Sequence, residues 1–219
     1  MAPRRIGGAG GGSDPANKGS NAGAVVLAGV VALGAAGGSA GISTISELTG
    51  TTTSQSISAR TTNGQQAAKR GDTNSAWRQF KMRERQRTLK QQAECVTSSY
   101  GQVQDYFLQH RCTSMDKILL AVEDDSGNTA VISVVWTSFS RSKDASGFKT
   151  LMDKHGTGDI TPLAGALLNL SDIHFNGHNY GSTRSGNTIT TAEAETATGH
   201  LEPEILDALA EVAAHMPKP

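Results

Sequence analysis

The longest uninterrupted apolar run, Ala22–Ile42 (AGAVVLAGVVALGAAGGSAGI), constrains the rest of the chain most, because it fixes the side of a membrane on which the other residues fold. No charged residue falls between Lys18 and Glu47, and roughly 20 apolar residues suffice for a helix to cross a hydrocarbon core about 30 Å thick. The run inserts weakly. Only Val25, Val26, Leu27, Val30, Val31, Leu33 and Ile42 are strong inserters, at about −0.3 to −0.6 kcal/mol each. A single-pass transmembrane helix is the first reading. A cleaved secretory signal is the second, with Arg4, Arg5 and Lys18 as its basic region and Gly38-Ser39-Ala40 as its small-residue end. A Gly/Ala-rich segment that does not insert is the third. Gly34 and Gly38 stand four apart, a spacing that lets two such helices approach closely in a homodimer.

Orientation follows from the basic residues. Arg4, Arg5 and Lys18 precede the run, and the next cation after it is Arg60, so the amino end is expected in the cytoplasm and the bulk of the chain outside the cell membrane. Cys95 and Cys112, the only cysteines, would form one disulfide in that oxidising setting. It closes a short loop, for which the chain-entropy model gives about 3 kcal/mol.

The chain is formally neutral, but Trp77–Cys112 carries mainly Arg and Lys while the region after Thr113 is dominated by Asp and Glu. A basic stretch can attract polyanions. Outside the membrane, however, nucleic acid is a poor partner, and complementarity within the domain accounts for the asymmetry more simply. The partners expected are the lipid bilayer and an envelope protein or ligand.

Residues 1–21 read as a disordered basic tail and 22–42 as the membrane segment. Residues 43–75, rich in Ser, Thr and Gln without an apolar period, read as a flexible linker. Residues 76–219 read as the exported domain. Within it, WRQFKMRERQRTLKQQAE is a run of strong helix formers that Asn74 or Ser75 could cap. Tyr100, Val103, Tyr106 and Phe107 recur at helical spacing between the cysteines. KILLAVED and TAVISVVWTSF flank Ser126-Gly127-Asn128 and predict a hairpin; a two-residue Gly127-Asn128 loop would set Leu120 opposite Val135. Asp144 onwards reads as a helix with Phe148, Leu151 and Met152 inward, stopping near His155-Gly156. Leu163–Leu170 leans to a short helix. SDIHFNGHNYGST alternates like a half-buried strand and turns at Gly186-Asn187 into TITTAEAETA. Pro203, Ile205, Leu206, Leu209 and Val212 mark a final amphipathic helix.

Ser-Gly-Asn-Thr occurs at 126–129 and at 185–188, each time before a strand and then a helix, which suggests a ββα duplication. The expected fold class is α+β, with two leading helices and a four-stranded, mainly antiparallel sheet covered by packed helices.

HExxH, paired CxxC and phosphate-cradling loops are missing from the sequence, and the chain leans away from an enzyme. Gly156-Thr157-Gly158 follows a helix where a phosphate loop would follow a strand, and reads as a helix stop and turn. One constellation bears on metal. A two-residue Gly186-Asn187 loop sets His178 opposite Glu195 and Tyr180 opposite Glu193, with His174 further along the same face. Two imidazoles and a carboxylate suit zinc, with Asp172 as orienting partner. The competing reading makes His178 and Glu195 an ordinary cross-strand pair.

At ECVTSSYGQVQDYF, HRCTSMDKIL, GNTAVISVVW, GTGDITPL, FNGHNY and AEAETATG, the chain resembles uncharacterised actinobacterial proteins with a basic tail, one membrane segment and an exported domain. The resemblance covers roughly Ala93 to Pro217 and implies an envelope location without implying an activity. The expected function is a membrane-tethered interaction or sensing module that meets its partner through the sheet or the loop after His155. The alternative is a metal-binding or metal-dependent hydrolytic domain built on the second hairpin.

Overall fold

Two antiparallel hairpins set side by side form the centre of the protein. A computed structural model describes residues 55–170 and 173–219. Along the chain run α1 (Ile57–Lys69), α2 (Thr73–Arg78), β1 (Met82–Arg87), β2 (Gln91–Ala93), α3 (Gly101–Gln109), β3 (Cys112–Asp124), β4 (Thr129–Phe139), α4 (Ser142–Met152), a short 3-10 helix (Gly165–Leu168), β5 (Tyr180–Ser185), β6 (Thr188–Thr198) and α5 (Pro203–Ala213). The sheet order is β1-β3-β4-β6-β5, with β2 also on β3, and every strand pairing is antiparallel. The class is therefore α+β with a mainly antiparallel sheet and packed helices, as expected, but with six strands rather than four.

The two additional strands come from the stretch expected as a basic helix. Only its first turns are helical, in α2, whose cap is Asp72 rather than Asn74 or Ser75: the Asp72 carboxylate accepts from Ser75 N–H at 3.0 Å. Lys81 then takes a positive φ of 58°, which a helix does not tolerate, and the chain turns extended. β1 and β2 lie one after the other along β3, pairing with its far and near halves. The long β3 would otherwise present unpaired backbone groups on that side, so pairing overrides the helix propensity of Arg, Glu, Gln and Lys. Charged residues suit this outermost position because they discourage further pairing. The basic and acidic regions meet here: Arg83 bonds Glu123 at 3.3 Å and Asp125 at 2.9 Å, and Arg85 lies 3.4 Å from Glu123.

A second departure concerns 43–75. Residues 57–69 of that expected linker form α1, capped by Ser56, and α1 packs on α5. Its buried stripe is Thr61, Gly64, Ala67 and Ala68, residues too small to register as an apolar face. A Cβ at Gly64 would come within 2.8 Å of Val212 Cγ2, so the glycine permits the close helix crossing. The tail, the run 22–42 and the pair Gly34 and Gly38 lie outside the described residues. Among the described residues, no helix is long and apolar enough to cross a membrane.

The second hairpin has the expected register, with a two-residue loop and Tyr180 opposite Glu193. The first does not: Leu120 faces Ile132 instead of Val135. Asp124 builds a longer turn by accepting from Ser126 N–H at 2.8 Å and Asn128 N–H at 2.9 Å. The order ββα occurs twice, but the two helices cover opposite faces of the sheet, as the core clusters show. The strand order sets β4 against β6, so the two hairpins meet through their second strands while their helices lie on opposite faces.

Alternation assigns those two faces. Ile118, Leu120, Val122, Ile132, Val134, Trp136, Ala192 and Ala194 face α1, α2 and α5 in one continuous apolar cluster. The opposite face carries two smaller clusters. One joins Val103, Phe107, Phe139, Phe148 and Ile189 beneath α3 and α4; the other joins Leu119, Ala121, Val131 and Leu168 beneath the 3-10 helix. The Cys95–Cys112 disulfide, with Cα atoms 6.6 Å apart, ties the segment before α3 to the start of β3.

Candidate functional site

Between the two smaller clusters the sheet carries polar side chains where a core would carry apolar ones. Lys117 of β3, Ser133 of β4, and Thr191 and Glu193 of β6 are all buried on this face. Ser133 stands opposite Glu193 and Val135 opposite Thr191, so the polar residues form a seam across the sheet.

The loop after α4 covers this seam. Gly156 and Gly158 both have positive φ. At Gly158 a Cβ would run into the Tyr100 carbonyl, so only glycine allows the loop to lie against the start of α3. Backbone bonds then zip the two segments together: Tyr100 N–H to Asp159 O at 3.0 Å, Gln102 N–H to Thr157 O at 2.7 Å and Thr161 N–H to Ser98 O at 2.8 Å. From below, Lys117 Nζ donates to Thr161 O at 2.7 Å. These bonds hold Asp159 over Glu193.

The Asp159 and Glu193 carboxyl groups lie within reach of one another. Burial, reinforced by the Asp159 charge, pushes Glu193 up to about 8, and burial raises Asp159 as well. Two carboxylates this close cannot both be ionised cheaply, so near neutral pH the pair holds one proton, chiefly on Glu193. Gly177 N–H also donates to Glu193 Oε2, at 3.2 Å. Burial drives Lys117 down to about 8, against the pull of Asp159, so below that pH it carries one positive charge beside the pair.

Asp159 opens into a cleft of about 500 Å³. One wall is the α4 end and its loop, from Met152 to Gly158; the other is the segment Phe175–Tyr180, with Tyr100 at the rim. Tyr100 is 55% exposed. The His155 and His178 rings stack with centroids 5.0 Å apart. Asp153, at one end, is held by Lys149 Nζ at 2.7 Å and the Ser182 hydroxyl at 2.6 Å, with the Tyr180 hydroxyl at 3.4 Å.

The residues singled out for zinc come together only in part. His178 is close enough to Glu195 to stabilise its carboxylate, which partial burial otherwise raises. His174 and His178 are both exposed, and His178 stacks on His155 rather than joining a three-ligand set. Among the described residues, no three His, Cys, Asp or Glu side chains are grouped to hold a metal ion. The expected strand starts only at Tyr180; Ile173 and Phe175 do turn inward, against the cluster around Leu168, but His174 lies in irregular chain. Asp172 lies outside the described residues.

Sequence reasoning located the loop after His155 and the facing of Glu193 with Tyr180, but not Asp159 or Lys117 as members of one site. The available signal was a carboxylate and an ammonium at inward positions of otherwise apolar strands. Such charges are almost never buried without a partner. No protein family, curated protein or solved structure matches this chain.

Proposed function

We propose that the domain is a ligand-binding module whose seat is the cleft between the loop after α4 and the segment leading into β5. The observation that supports this most strongly is the pair of a buried Glu193 and a half-buried Asp159, which presents Asp159 to a cleft large enough for a small molecule. A polar seam with Lys117, Asp159 and Glu193 is a poor way to stabilise a core, since well-packed apolar residues of similar volume do so as well or better. Retaining it fits recognition. The pair offers both a donor and an acceptor, and Tyr100, Asn176 and the two imidazoles add polar groups around the mouth. The same loop is the one from which a partner contact was expected, so the reading remains that of a sensing or interaction domain. Its placement outside the cell membrane, tethered through residues 22–42, belongs to the proposal. The Cys95–Cys112 bond and the basic residues before the apolar run support it.

Binding at the cleft is tested by NMR on the intact chain, following the Tyr100, Gly158 and Gly177 amides during titration with four probe classes: neutral sugars, amines, carboxylic acids and inorganic phosphate. Saturable shifts confined to those amides with any class support the reading. Shifts elsewhere, or none with all four, overturn it.

A further inference from the structure

The balance of charge in the cleft narrows the ligand. The Asp159–Glu193 pair, holding one proton, carries a single negative charge, and Lys117 beneath it carries a single positive one. Asp153 is matched by Lys149 at 2.7 Å. At the floor and end of the cleft, formal charges therefore cancel, and Lys154, the other charged residue of the lining, is exposed on the wall where water screens it. An ion entering would lose its hydration without meeting a desolvated opposite charge. The lining nevertheless is rich in hydrogen-bonding groups: the Asp159 carboxyl, the Asn176 amide, the His155 and His178 rings, and backbone at Gly158 and Gly177. Tyr100, Phe175 and Tyr180 add ring surface to this polar lining. Tyr100 stays 55% exposed although large aromatic side chains contribute most when buried, so its ring is available to a ligand at the rim.

Resting on the proposed ligand seat, we infer that the cleft takes a neutral polyhydroxylated ligand, a sugar unit whose hydroxyls bond to Asp159 and Asn176 while its C–H face lies on the Tyr100 ring. A sugar meets the requirements together: it is uncharged, it carries adjacent donors and acceptors, and one of its faces is apolar enough to pack on an aromatic ring.

The test is calorimetric and NMR titration of the intact chain with glucose, N-acetylglucosamine and their β-linked disaccharides, beside spermidine, acetate and phosphate as charged probes. Expected is saturable binding of at least one sugar at the Tyr100, Gly158 and Gly177 amides. It should weaken about tenfold or more, the equivalent of ~1.4 kcal/mol, in Tyr100→Ala and in Asp159→Asn, while near-UV circular dichroism stays unchanged. Binding of a charged probe at these amides without any sugar overturns the inference and leaves the ligand seat standing. Sugar binding that both variants retain overturns it too, as does a panel in which no probe binds, and that last result removes the seat as well.

Discussion

The two faces of the sheet solve the same problem differently. Beneath α1, α2 and α5 the inward side chains form one continuous apolar cluster, from Trp77 and Trp136 to Leu209 and Val212, and its buried carboxylate, Asp116 beside Trp136, is met by Lys218 of the irregular chain after α5 at 2.8 Å. Beneath α3, α4 and the loop after α4, two apolar clusters are kept apart by Lys117, Ser133, Thr191 and Glu193. One face holds the fold together, and the other gives up part of its core to a polar seam that opens into a cleft. The contrast teaches that the strands tolerate buried charge where an irregular loop, rather than a helix, forms the lid. A loop supplies backbone acceptors such as Thr161 O that a helix has already used internally.

The largest expected effect sharpens that division. Trp136→Ala should cost about 3–5 kcal/mol in urea unfolding, because it empties the apolar face and removes the indole bond to Met216 O at 3.0 Å. It should leave the pH dependence of stability untouched; a change there would show that the faces are not independent. Reducing the Cys95–Cys112 bond should cost about 3 kcal/mol, given its separation of 17 residues. Hydrogen exchange should then rise first in α3 and the strand segments of the second face.

Next in size is the pH slope attached to the seam. Glu193 holds its proton in the folded protein up to about 8 against an ordinary value of 4.5. Between those values the folded state binds the extra proton, so stability should fall as pH rises, by up to about 1.4 kcal/mol per pH unit. Glu193→Gln should flatten that slope, and an unchanged slope in the variant would remove the shared proton from the account. Lys117 works in the opposite direction: its value is depressed to about 8 from 10.5, so its penalty is present below 8 and is relieved as pH climbs towards 10.5. Smallest of all, Arg83→Ala touches neither face. It breaks two exposed ion pairs on β1 and should change stability by no more than about 0.5 kcal/mol.

Much of this was legible in the sequence, and the parts that were not share a cause. Both central hairpins, α3 through α5 and the disulfide follow from periodicity, turn residues and cysteine number. The basic stretch 79–93 did not, because its residues favour a helix in isolation and become strands only beside the open edge of β3. Helix α1 escaped because Thr61, Gly64 and Ala67 pack through closeness rather than bulk. The site was half visible. Glu193 and Tyr180 were placed opposite each other by the two-residue turn, while Asp159 arrives from a loop whose path depends on glycines fitting against Tyr100. His174 and His178 drew attention by residue type, but their backbone leaves the sheet before Tyr180, so alternation no longer fixes where their side chains stand.

The amino-acid sequence by itself determined the inward and outward alternation of β3 to β6, the amphipathic face of α5 and the pairing of two cysteines, because each is set by covalent spacing or by neighbours a few residues away. Only the tertiary structure decided which edge β1 would complete, which face each helix would cover, and that Lys117, Asp159 and Glu193 would meet. Those three residues lie far apart in the chain, and desolvation and shared protons act through space.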